Sequence, residues 1–80
     1  MEIAELFAKT MRLTREKLGL SQEKLAEECG LHRTYISFVE RGKRNITVLN
    51  VDKIAKGLQI EPYKLFMEEY LNDLLRERQD

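Results

Sequence analysis

A chain of 80 residues has room for one domain, and its 42% apolar content is enough for a small core. Lysine and arginine balance aspartate and glutamate at 14 each, so overall charge favours neither a nucleic acid nor a membrane surface. One cysteine and one histidine exclude an internal disulfide and fall short of a structural zinc site. With no apolar run long enough to span a bilayer and no secretory signal pattern, we expect a cytoplasmic protein.

Charge is divided unevenly along the chain. Residues 1–31 carry five basic and six acidic side chains, whereas residues 32–56 carry six basic against two acidic ones. Residues 61–80 carry three basic against six acidic side chains, so the middle segment has a net charge of +4 and the last one of −3. We expect the middle segment to face phosphates and the C-terminal segment to lie away from them.

The first two predicted helices meet at a glycine. Gly19 ends a helix over about residues 2–18, and Ser21 is suited to cap the next one. The second helix has Leu25, Ala26 and Cys29 as its buried stripe. Side chains at helical spacing predict that one face of the first helix is buried: Ile3, Phe7, Met11, Thr14 and Leu18.

Three further helices complete an all-α prediction. A third helix covers about residues 32–41, and Thr47 caps a fourth. The fifth is predicted over residues 62–78, with Pro62 in its first turn, where a missing N–H costs little. Its apolar residues cover more than one face, so we expect some of them to meet a second subunit. The candidate dimer contacts are Leu65, Phe66, Met67, Tyr70 and Leu74.

The second and third helices, joined at Gly30, have the pattern of a helix-turn-helix, which places its second helix in the DNA major groove. Base recognition needs donors at the N-terminal end of that helix. Arg33 can make a bidentate contact with guanine O6 and N7, and Thr34 can offer a hydroxyl or a methyl group. Ser37 lies one turn later on the same face.

Two aromatic residues adjoin this face, and each admits two interpretations. Phe38 is suited either to contact with thymine methyl groups or to ordinary packing. Tyr35 is suited either to the core or to a phosphate contact. Both are retained as candidate DNA contacts.

The segments beside the recognition helix offer phosphate contacts. Lys43, Arg44 and Asn45 form a short loop before Thr47, and contacts from such a loop would fix register without reading sequence. Gln22 opens the second helix, where its amide and the free N–H groups could bind phosphate. The alternatives are a solvated basic turn and an ordinary surface glutamine.

Other polar residues are predicted to be structural. Arg15 and Glu40 lie at helix edges beside the motif, and a partly buried bridge between them would fix helix 1 against helix 3. Cys29 is predicted to be a small buried apolar side chain. His32 has no second histidine, and no phosphate-binding loop or activated nucleophile is present. We therefore predict no catalysis, no cofactor and no metal.

From Leu6 to Phe66 the chain resembles the λ-repressor-like, five-helix helix-turn-helix family. The matching segments are Gly19-Leu20-Ser21-Gln22, Leu25-Ala26, Ile36-Ser37, Val39-Glu40-Arg41-Gly42 and Ile54-Ala55-Lys56-Gly57-Leu58. Within that family, two segments resemble the controller proteins of restriction–modification systems: Arg33-Thr34-Tyr35-Ile36-Ser37 and Arg44-Asn45-Ile46-Thr47.

The resemblance implies a single helix-turn-helix domain over residues 1–80 that dimerises through its C-terminal helix and binds a palindromic operator. Controllers of this type regulate their own gene and the endonuclease gene, and RNA polymerase is a further candidate partner. The resemblance implies that Arg33 and Thr34 contact bases and that Arg15 and Glu40 form a buried bridge. It also implies contacts to the DNA backbone by Gln22, Tyr35, Ser37, Arg44, Asn45 and Thr47.

Two departures from the family pattern affect the recognition surface. His32 stands where a short capping residue is frequent, and Phe38 stands where smaller or polar residues are common. The operator sequence therefore does not follow from the resemblance. The alternative functions are a phage-type repressor, the antitoxin of a toxin–antitoxin pair, and a protein-interaction module without DNA binding, against which the local charge of +4 argues.

Overall fold

The computed structural model describes residues 1–43 and 45–78, which form five α-helices and a 3-10 turn, with no strand. The predicted all-α, five-helix class is confirmed. Over these residues, none of the helices combines the length and apolar character needed to cross a membrane. The elements are α1 (Ile3–Lys17), α2 (Gln22–Cys29), α3 (Arg33–Glu40), α4 (Val48–Leu58), the 3-10 turn (Pro62–Phe66) and α5 (Glu68–Arg78).

Side-chain caps set the start of two of these helices. Ser21 Oγ accepts a hydrogen bond from the Lys24 N–H at 2.9 Å, and Thr47 Oγ1 accepts one from the Asn50 N–H at 3.1 Å. Each bond satisfies one of the donors that the first turn of a helix leaves without an intrahelical partner. His32 precedes α3 in an extended conformation and makes no such cap bond.

The main cluster of buried side chains is formed by the four helices α1, α2, α3 and α4 together with the 3-10 turn. It includes Met11 of α1, Leu25 of α2, Ile36 of α3 and Ile54 of α4, all fully buried. Two residues predicted for the buried face of α1 are instead exposed, Ile3 by 67% and Leu18 by 43%. Ile3 starts α1 and Leu18 follows its last turn, so both lie beyond the part of the helix that the other elements cover.

The single helix predicted over residues 62–78 is wrong, because two elements occupy that stretch. Pro62–Phe66 forms the 3-10 turn, Met67 is extended (φ −107°, ψ 116°), and α5 begins at Glu68. The break allows fully buried Leu65 to enter the main cluster while α5 changes direction and packs along α1.

A second, smaller cluster holds α5 to α1. Leu71 and Leu74 of α5 pack with Leu6 and Leu13 of α1, and half-buried Tyr70 lies against them. Leu74 is 2% exposed and belongs to the chain's own core, as does Leu65. The prediction that Leu65 and Leu74 supply dimer contacts is therefore corrected, because neither has surface to offer a partner.

Candidate nucleic-acid interface

A left-handed glycine sets the angle between α2 and α3. Gly30 has φ 71°, and the Leu31 N–H donates to the Ala26 carbonyl oxygen at 3.0 Å, which closes the end of α2. A side chain other than glycine is strained in this conformation. The turn therefore depends on Gly30, and it directs the first residues of α3 away from the body of the domain.

The first turns of α3 present polar side chains on one exposed face. Arg33 and Thr34 are exposed, and Ser37 is half-buried one turn later. Ile36 and Val39 point the other way and are buried in the main cluster. The structure thus brings the three predicted recognition residues together at the end of the helix that would enter a groove.

Phe38 extends this face. Its side chain is 37% exposed, and the Arg41 guanidinium lies over its ring at 4.8 Å from the centroid. A cation over an aromatic face is favourable and holds the two side chains together. Arg41, which was not among the predicted contacts, therefore adds a positive charge beside Phe38.

Tyr35 is tied to the start of α4. Asn50 Nδ2 donates a hydrogen bond to the Tyr35 hydroxyl oxygen at 3.1 Å, and the Asn50 N–H bonds the Thr47 cap. Asn50 therefore connects the recognition helix to the cap of the next helix, a role that sequence reasoning missed. The sequence signal for this role is an amide three residues after a capping threonine. It is weak because the tyrosine that the amide contacts lies 15 positions away.

The loop between α3 and α4 continues the polar surface. Lys43, Asn45 and Thr47 are exposed, and Gly42 adopts φ 69° where the loop leaves α3. Arg44, also a predicted contact, lies outside the described residues. The exposed loop residues adjoin the C-terminal end of α3, which is where a contact to the flanking DNA backbone would be made.

A buried ion pair supports this surface from behind. Arg15 Nε and Nη2 donate to Glu40 Oε2 and Oε1 at 2.7 and 2.9 Å, with side-chain exposures of 11% and 3%. The hydrogen bond to Glu40 raises the pKa of Arg15, so the guanidinium stays charged. Arg15 Nη1 also donates to the Leu20 carbonyl oxygen at 2.8 Å. The pair thus fixes α1, the α1–α2 turn and the end of α3 relative to one another.

Gln22 takes part in the same network. Its Nε2 donates to Glu40 Oε1 at 3.0 Å, and the residue is half-buried. A phosphate contact by this side chain would have to share the amide with Glu40 or use its remaining donor. The network therefore positions Gln22 at the start of α2, beside the predicted DNA surface.

Among the described residues, neither a metal centre nor a reactive thiol is supported. Among residues 1–43 and 45–78, no three His, Cys, Asp or Glu side chains are grouped so that they could hold a metal ion. Burial raises the pKa of the Cys29 thiol to about 11, which makes it a poor nucleophile.

Comparison with known proteins agrees with this geometry. Residues 11–65 match a helix-turn-helix family model. The control protein C.BamHI of Bacillus amyloliquefaciens is 52% identical over 61 residues, which span 75% of each chain.

Two solved structures share the fold. The restriction–modification controller protein C.AhdI of Aeromonas hydrophila has a TM-score of 0.77 and 46% identity, covering 79% of this chain and 96% of the other. The controller C.Esp1396I, solved as a tetramer with its natural 35-base-pair operator, has a TM-score of 0.79 and 32% identity over 94% and 97% of the two chains. The chain belongs to the helix-turn-helix family of transcription regulators, in the group of restriction–modification controller proteins.

Proposed function

We propose that this protein controls a restriction–modification system by binding, as a dimer, a palindromic operator at its own promoter and at that of the endonuclease gene. It acts as a regulator and not as an enzyme. The observation that carries the proposal is the exposed pair Arg33 and Thr34 at the start of a recognition helix that a buried ion pair holds in place.

Base recognition falls to the first turns of α3. Arg33 is long and exposed enough to reach guanine in the major groove, and Thr34 and Ser37 follow on the same face. Phe38, held beside Arg41, is suited to thymine methyl groups. Tyr35, through its hydrogen bond to Asn50, positions α3 against the start of α4, and it would also contact the DNA backbone.

Lys43, Asn45 and Thr47 supply backbone contacts that set register, together with Gln22 at the start of α2. Two copies of α3, about 34 Å apart, would read two half-sites one turn of DNA apart. RNA polymerase at the regulated promoter is a further partner in this proposal.

The test is a gel-shift titration on the DNA upstream of the gene, with random DNA as competitor and salt varied. Wild-type protein is expected to bind the upstream DNA tightly and to resist the competitor. Arg33→Ala should lose about 5-fold to 150-fold of its preference for that DNA, the equivalent of about 1–3 kcal/mol. Lys43→Ala should weaken binding to both DNAs alike and lower the salt dependence by about one ion.

Arg76→Ala is the matched control, because Arg76 is an exposed arginine on α5, where it pairs with Asp73. It should leave both affinities unchanged. Equal losses on upstream and random DNA for Arg33→Ala would contradict the base contact. Wild-type binding no better than to random DNA would remove the controller function and favour an antitoxin or a protein-interaction module.

A further inference from the structure

A hollow on the recognition surface lies where α3 meets the turn before it and the start of α4. It has a volume of about 370 Å³, and its lining includes Leu31, Thr34 and Phe38. We propose that this hollow receives the C5-methyl group of a pyrimidine in the major groove, so that the protein accepts 5-methylcytosine in place of thymine. The inference rests on the proposed function and adds to it a response to DNA methylation.

Apolar groups from two neighbouring elements line the hollow. Thr34 and Phe38 are four residues apart on α3, so their side chains are neighbours on one face of the helix. Leu31, in the turn before α3, is half-buried against the main cluster and lines the same hollow. The Thr34 methyl group, the Phe38 ring and the Leu31 side chain can therefore remove a methyl group of the DNA from water, which is favourable.

The Phe38 ring is both accessible and held in place. It is 37% exposed, so part of its apolar surface faces water on the side of the molecule that carries Arg33 and Thr34. The Arg41 guanidinium lies 4.8 Å from the ring centroid, and this contact restricts the ring before DNA is bound. A side chain that is already ordered loses less conformational freedom on binding, which favours a contact as small as one methyl group.

The polar groups of the hollow favour no single exocyclic group on the base. Beside C5, thymine presents the acceptor O4 and cytosine presents the donor N4–H₂. The Thr34 hydroxyl and the neutral His32 imidazole can each donate or accept a hydrogen bond. A carboxylate is the group that selects cytosine through N4, and none of the described residues lining the hollow is acidic. The methyl group therefore decides between the pyrimidines, and cytosine methylated at C5 resembles thymine at this site.

The test compares DNA duplexes that differ by a methyl group. Synthetic duplexes of the upstream DNA carry deoxyuridine for one thymine at a time, which removes the methyl group and leaves base pairing intact. At a thymine whose replacement weakens binding, two further duplexes carry cytosine or 5-methylcytosine opposite guanine. Wild type is expected to bind thymine about 4-fold more tightly than deoxyuridine, and 5-methylcytosine about 4-fold more tightly than cytosine, which is the effect of burying about one methyl group.

Three variants assign the methyl contact to the hollow. Phe38→Ala removes the ring and should abolish the difference within each pair of duplexes, whereas Phe38→Leu keeps an apolar side chain and should retain most of it. A variant that folds poorly would bind all the duplexes less well, so the ratio within a pair measures the contact and not the fold. Leu75→Ala is the matched control, because Leu75 is an apolar side chain of α5 that is 43% exposed. It should leave both ratios unchanged.

The outcomes separate this inference from the proposed function. Wild type that prefers the upstream DNA but binds every deoxyuridine duplex as tightly as the thymine duplex would overturn the inference and leave the proposed function standing. A preference for thymine over deoxyuridine without one for 5-methylcytosine over cytosine would overturn it as well. Differences that persist in Phe38→Ala would assign the methyl contact to another residue, with the same consequence. Wild-type binding no better than to random DNA would remove the proposed function and the inference with it.

Discussion

The body formed by α1 to α4 and the helix α5 are stabilised by contacts of different kinds. Among the residues that the structure describes, eleven are buried in the main cluster and four in the cluster between α1 and α5. The ion pair that fixes α3 is buried, but the pairs that join α1 to α5, Lys17–Glu77 at 3.1 Å and Glu16–Arg78 at 2.7 Å, are exposed. The recognition surface therefore lies on the body with the larger buried cluster, and α5 is attached to that body through a smaller cluster and exposed ion pairs.

The sharpest test of this difference compares a buried ion pair with an exposed one. Glu40→Ala leaves the Arg15 guanidinium buried without its carboxylate, and the free energy of unfolding should fall by about 3–5 kcal/mol. Glu77→Ala removes the partner of exposed Lys17 and should cost about 0–1 kcal/mol. Urea unfolding followed by circular dichroism measures both. Equal losses of unfolding free energy would mean that the exposed pair between α1 and α5 is as strong as the buried pair between α1 and α3.

Local signals made the α1–α4 body predictable from the sequence. Gly19 and Gly30 follow α1 and α2 in left-handed conformations, and Ser21 and Thr47 cap α2 and α4. Each of these residues acts on its own turn, so its effect can be recognised without knowledge of distant contacts. The break at Met67 could not be predicted in this way.

The error over residues 62–78 has a tertiary cause. The apolar residues from 65 to 75 fit one continuous helix, and Pro62 suits the start of one. A straight helix, however, could not place Leu65 in the main cluster and Leu74 against α1 at the same time. Burial of both side chains therefore favours a 3-10 turn and a change of direction over the local preference.

In the candidate site, too, local features could be predicted from the sequence and tertiary contacts could not. The exposure of Arg33 and Thr34 could be predicted because it follows from their position in the helix-turn-helix motif, whereas their contacts to bases stay a prediction. Asn50 and Arg41 were missed because their importance comes from contacts with Tyr35 and Phe38 across or along helices. The pairing of Arg15 with Glu40, 25 positions apart, was predicted from their places at the edges of two helices beside the motif, and the family resemblance implied it as well.

The independence of α5 can be measured by hydrogen exchange. Leu74→Ala leaves a cavity in the small cluster and should lower local stability by about 2–5 kcal/mol, the usual range for a buried leucine. Because α5 packs mainly against α1 and not against α2 or α3, amide exchange should accelerate in residues 68–78 and hardly change in α2 and α3. Leu58→Ala, in the main cluster, is the control and should accelerate exchange in all helices together. Uniform acceleration by Leu74→Ala would show that α5 unfolds only with the rest of the molecule.

The packing of α4 against α2 can be tested at Gly57. A Cβ atom on Gly57 would lie 2.6 Å from Cys29 Sγ and 3.1 Å from Leu25 Cδ1, so Gly57→Ala must displace α2 or rotate the thiol. Overpacking of this kind costs about 1–3 kcal/mol, offset in part by about 1 kcal/mol from the better helix propensity of alanine. Unfolding in urea should therefore show a small net loss of stability.

Cys29→Ala separates the steric cost of Gly57→Ala from its gain in helix propensity, since it removes the sulfur that the added methyl group would contact. The double variant should be more stable than the sum of the single effects predicts, because the added methyl group fills space that the thiol has left. The rate of Cys29 alkylation is a second measure of the contact between Cys29 and Gly57. Burial keeps the pKa of Cys29 at about 11, so in the wild type the thiol should react slowly at pH 8, and Gly57→Ala should accelerate the reaction if α2 moves away from α4. If the alkylation rate is unchanged and the free energies of the two substitutions are additive, the thiol rotates aside and α2 does not move. The core that supports the recognition helix would then be more adaptable than the buried ion pair indicates.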